Sequence, residues 1–112
     1  MALIAFAMPI LPGKKNKWLE MMEKIRGPWG AMLKASRKAA GVRERTFLQE
    51  TPMGDLVIVT LEGADPVAAL GKMMTDQSEA SREMMAMAAE VHGFDMKAAG
   101  PLPTPNLIFD TE

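Results

Sequence analysis

Every residue from Leu3 to Met8 is apolar, and Pro9 and the Pro12-Gly13 pair follow too soon for about ten helical residues to form, so the run predicts a strand. The period then changes. Trp18, Met22, Ile25, Trp29 and Met32 recur at spacings of four, three, four and three, which puts them on one stripe of a basic helix from about Lys14 to Ala40. Gly27-Pro28 interrupts that stripe. Proline removes an intrahelical hydrogen bond and clashes with the carbonyl of Lys24, so the segment either kinks there or divides into two shorter helices. Gly41 supplies the stop.

Val42 to Glu50 predicts a second strand centred on Thr46, Phe47 and Leu48, and Leu56 to Leu61 a third. The turn chemistry of Thr51-Pro-Met-Gly-Asp55 between them implies an antiparallel hairpin. Asp65-Pro66 pairs an N-cap acceptor with a proline at the first helical position, opening a helix with Val67, Leu70, Met73 and Met74 that ends near Asp76. Ser78 caps another, with Met84, Met87, Ala88 and Val91 on one face and Gly93 as its stop. From Ala99 the tail is extended by its prolines, and Leu107-Ile-Phe109 is placed either as a short edge strand or across the surface. The order β-α-β-β-α(α)-β is the split βαβ plan of an α+β, ferredoxin-like domain, with an antiparallel sheet and helices on one face. The 112 residues make one such domain, with 99–112 as its Pro-rich tail.

A half-exposed antiparallel strand alternates apolar with polar residues, and the first and third strands do not. Leu3, Ala5 and Ala7 oppose Ile4, Phe6 and Met8; Val57, Val59 and Leu61 oppose Leu56, Ile58 and Thr60. Helices can cover one face of so small a sheet. The other, about 300–400 Å² for four short strands, matches the largest dry patches that monomers carry. A second copy of the chain, sheet against sheet about a two-fold axis, is the economical cover. Val59 is taken as the position whose change to Lys probes that contact.

Composition narrows the setting. Apolar residues make up 48% and charged residues 24%, an ordinary globular mix. The absence of cysteine excludes a disulfide framework and thiolate metal sites. No apolar run reaches the roughly 20 residues a bilayer needs, and lysines follow the first apolar run instead of preceding it, so a cytoplasmic protein with no membrane partner is expected. Up to Arg45 ten basic residues face three acidic ones, and from Thr46 three face eleven. We read this as a basic first helix lying against an acidic later one. No nucleic-acid partner is implied, because the third strand lacks the aromatics on which bases stack.

The strand order, the length and the doubly apolar strands resemble the dimeric α/β-barrel superfamily, which includes the antibiotic-biosynthesis-monooxygenase-like proteins. The ending Val91-His-Gly-Phe-Asp, Pro101-Leu-Pro and Leu107-Ile-Phe-Asp110 resembles the uncharacterised bacterial members more than the characterised monooxygenases. The resemblance implies a homodimer with a small organic molecule, or in some branches haem, between sheet and helices.

No phosphate loop, dinucleotide fingerprint or nucleophile elbow is present, and a single histidine without cysteine is a poor start for a zinc site. Three residues are candidates for ligand binding, and each has a structural alternative. Arg45 shares a strand face with Arg43, Phe47 and Gln49 and would clamp a carboxylate or phenolate, or else pair with an acid of the second half. Trp29, beside the Gly27-Pro28 break, would wall an aromatic pocket or fill the core, as would Trp18. His92 would serve as a base or, by the family resemblance, a haem ligand, or else bond the free carbonyls at its helix end. Gly13-Lys14-Lys15 at a helix start would hold an anion or form a solvated charge run. The twelve methionines suit an adaptable cavity or a flexible core. No cofactor is assigned. Two functions remain: a cofactor-independent, monooxygenase-like enzyme or binder of a hydrophobic or aromatic molecule, and a non-catalytic, interaction or stress-linked homodimer with a collapsed core.

Overall fold

The computed structural model describes residues 2–93 and 105–112. Its elements are β1 (Ala2–Pro9), α1 (Lys15–Arg26), α2 (Gly30–Ala40), β2 (Val42–Thr51), β3 (Gly54–Gly63), α3 (Pro66–Met74) and α4 (Glu79–His92). The helical segment divides instead of kinking: α1 closes at Gly27, and α2 begins again at Gly30. The break changes the phase of the apolar stripe. Leu33 turns inward and is buried, while Met32, expected on that stripe, is exposed.

The strands form one antiparallel sheet in the order β1-β3-β2. This α+β arrangement of three strands and four helices is compatible with a ferredoxin-like fold. Of the two placements expected for Leu107–Phe109, the edge strand does not form in this chain: these residues have no regular structure and are at least 79% exposed. Tail residues 99–104 lie outside the described residues. Among the described residues, β1 therefore has an unpaired outer edge.

Register settles which set of side chains faces inward. Phe6, Val59 and Thr46 lie side by side across the sheet, so Ile4, Phe6, Met8, Val57, Val59, Leu61, Glu44, Thr46 and Leu48 share one face. The core assembles there, with Val57 and Val59 packed among Ile10, Trp18, Met21, Met87 and Val91. Full burial of an aliphatic side chain such as Val57, Leu61 or Val91 contributes about 1.5–3 kcal/mol. Val59, expected on the partner-facing side, is thus a core residue. The helix-free face instead carries Leu3, Ala5, Ala7, Leu56, Ile58 and Phe47, with Thr60, Arg45, Arg43, Glu62 and Gln49 beside them.

Local chemistry sets the ends. Asp65 Oδ1 accepts from the Ala68 amide at 3.1 Å, and Ser78 Oγ from the Ser81 amide at 3.2 Å, as the capping signals predict. Gly41 takes the left-handed conformation at the end of α2, φ 77°, which glycine adopts without Cβ strain. A Cβ on Gly63 would collide with the Gly41 carbonyl, so the far end of β3 closes only on glycine.

The charge asymmetry resolves as expected. Lys14 and Lys17 meet Glu90 at 3.2 and 3.5 Å, and Lys24 meets Glu83 at 3.2 Å, so the basic start of the chain lies along α4. Lys14, and then Lys17, hold the Glu90 carboxyl below the usual range. Lys15 bridges to Glu50 and Asp55 on the hairpin. Such exposed pairs are screened by water and contribute little to stability. No described helix is long and apolar enough to cross a membrane.

Candidate functional site

The break between α1 and α2 opens a cleft above β2. α1 supplies Trp18, Met22 and Ile25 at helical spacing, and α2 supplies Leu33 and, one turn later, Arg37. From the strand below come Glu44, Thr46 and Leu48 at alternate positions. Thr46 faces the helices yet is solvent-exposed, because the helices part above it. The cleft encloses about 1010 Å³. A second, smaller chamber of about 170 Å³, also half-open, lies beside it over β1 and β3 and is bordered by α3 and α4. Trp18, Met22, Ile25, Arg37, Glu44 and Thr46 border both spaces, so they form a common wall.

The two spaces differ in chemistry. The chamber is lined by Phe6, Leu70 and seven methionines, Met8, Met21, Met22, Met73, Met74, Met84 and Met85, whose unbranched thioethers adapt to irregular shapes. The cleft has a buried or half-buried apolar floor of Trp18, Met22, Ile25, Leu33 and Leu48. Its rim is basic: Arg26, Lys34, Lys38 and Arg43 are all exposed and, among the described residues, form no ion pair. On the shared wall Arg37 Nε donates to Glu44 Oε1 at 3.2 Å, and both side chains are mostly shielded from water. Arg37 also donates from Nη1 to Ser36 Oγ at 3.3 Å.

The three candidates from the sequence are not brought together. Arg45 lies on the helix-free face opposite Thr60 and borders neither space, because strand alternation turns Glu44 and Thr46 inward in its place. Trp29 sits at the start of α2, packed against the core, with Lys24 Nζ 5.2 Å from its ring centre, and it too borders neither space. His92 does line the chamber. It is buried, and its Nδ1 lies 2.7 Å from the Pro9 carbonyl. A carbonyl can only accept, so Nδ1 carries the proton. The ring thus ties α4 to the end of β1, and burial pushes its pKa below the usual histidine value.

Sequence reasoning missed Arg37 and Glu44. The available signals were the i, i+4 relation of Leu33 to Arg37 and the alternation of Glu44 with Thr46 and Leu48. Among the described residues, no cluster of His, Asp and Glu is placed to hold a metal ion. The chain matches no protein-family model, no curated protein and no solved structure with which it was compared.

Proposed function

We propose that the chain works as a homodimer that binds a hydrophobic or aromatic small molecule between its helices and its sheet, in the manner of the dimeric α/β-barrel proteins that it resembles. The observation that carries this reading is the cleft: a half-open space with an apolar floor and a few convergent polar groups, the usual makeup of a small-molecule site. The helix-free face supports association. Leu3 and Phe47 are 57% and 51% exposed there, contiguous through Ala5, Ala7 and Ile58, and a two-fold partner would cover them with the same residues. Resemblance to the antibiotic-biosynthesis-monooxygenase-like proteins extends the reading to oxygenation without a cofactor. The chamber favours binding over turnover, because its titratable groups are already engaged, His92 with Pro9 and Arg37 with Glu44.

A second reading, a non-catalytic homodimer with a collapsed core, draws on the chamber alone. Its 170 Å³ falls below the roughly 300 Å³ at which ligand pockets begin, and methionines fill its walls.

Native mass spectrometry of protein purified gently from cells decides between them. Two chains with a retained organic molecule, displaced by the cleft-filling Thr46→Trp change without loss of the dimer, is the expected result. A dimer with no retained molecule, and no displaceable binding of added hydrophobic compounds, would favour the second reading.

A further inference from the structure

We infer that the ligand of the cleft is an amphipathic carboxylate, with its apolar body on the Trp18–Leu48 floor and its head group on Arg37 in place of Glu44; this rests on the cleft being a ligand site. Three features of the wall and rim converge on that chemistry.

The Arg37–Glu44 pair already shows a carboxylate seated against the guanidinium at 3.2 Å, on the boundary between the open cleft and the methionine chamber. An incoming carboxylate would exchange one such hydrogen bond for another, so Arg37 is never left buried without a partner. An uncharged ligand would gain nothing from that exchange.

The charge balance of the rim favours the same class. Five basic residues border the cleft against the single acid Glu44, and four of the five form no ion pair among the described residues. A displaced Glu44 carboxylate therefore stays within a cationic surround that also attracts the ligand's charge. Finally, the polar rim and the apolar floor are segregated, with Arg26, Lys34, Lys38 and Arg43 exposed and Trp18 and Leu33 buried. That arrangement matches a molecule with one charged end.

The test compares dodecanoate, kept below its micelle-forming concentration, with 1-dodecanol, kept below its solubility limit, using tryptophan fluorescence and native mass spectrometry on the full chain. We expect one molecule of dodecanoate per cleft, bound at least tenfold more tightly than the alcohol. Arg37→Gln should remove that preference by bringing dodecanoate affinity down to that of the alcohol, and Glu44→Gln, which removes the internal competitor, should strengthen dodecanoate binding several-fold. Lys34→Gln/Lys38→Gln, two exposed changes that do not touch the core, should weaken dodecanoate binding and reduce its sensitivity to salt. Equal affinity for acid and alcohol would overturn the anion assignment while leaving the cleft as an apolar site. Failure of both to bind would overturn the cleft reading itself. Association with anionic phospholipid vesicles, without binding of monomeric dodecanoate, would also overturn the proposal.

Discussion

His92 Nδ1 and the Pro9 carbonyl, 2.7 Å apart, join the last turn of α4 to the end of β1 across 83 positions of sequence. The ring is buried, and burial lowers its folded-state pKa below the ordinary value. As pH falls below about 6.5, the unfolded chain takes up a proton that the folded chain refuses. The His92 contribution to stability is therefore complete above that pH and is lost as pH falls through the lower, folded-state pKa. Urea unfolding between pH 5 and 8 should show this slope. His92→Gln should flatten it, at a cost of about 1–3 kcal/mol for the disturbed buried hydrogen bond.

The two faces of β3 give a pair of neighbouring tests with opposite outcomes. Ile58→Lys places a charge on the helix-free face, through which the dimer is proposed to form, and sedimentation should then show single chains with unchanged circular dichroism. Val59→Lys buries a charge in the core, and the fold should lose more than about 3 kcal/mol. An Ile58→Lys protein that stayed as associated as the parent would remove that face from the assembly.

The two tryptophans should report differently on a bound ligand. Trp18 borders both spaces and Trp29 neither. The ligand-induced fluorescence change should survive Trp29→Phe and vanish in Trp18→Phe, measured with dodecanoate or with any hydrophobic compound that binds.

Helix caps outside the site provide a calibration. Asp65→Ala and Ser78→Ala each remove a side-chain acceptor from a helix start. Each should cost about 0.5–2 kcal/mol in chemical unfolding, with no effect on ligand affinity.

What could be read from the chain divides along physical lines. Caps, stops and the β2–β3 hairpin are written in residues close together in sequence, and Asp65, Ser78, Gly41 and Gly93 all stand at the helix ends where their chemistry places them. Sidedness was not legible where both faces of a strand are apolar. Alternation separates Val59 from Ile58, but only packing against Trp18 and Val91 says which is inside. In β2 both faces carry charged and polar residues, so alternation paired Arg45 with Arg43 and Glu44 with Thr46 without saying which set faces inward. The cleft was not legible because it arises from how α1 and α2 diverge after Gly27-Pro28, and the change of phase that brought Leu33 inward over Met32 follows from that break.

Among the described residues the outer rim of β1 is bare, and this bears on how the protein is made. Alternate amides and carbonyls along Ala2–Pro9 lack a ladder on that side among the described residues, and no charge lies between those two residues to deter an unrelated segment from docking. Any cover for that edge has to arrive before a stray strand does. Recovery from overexpression should then depend on how quickly that rim is capped during biosynthesis, more than on the depth of the hydrophobic interior.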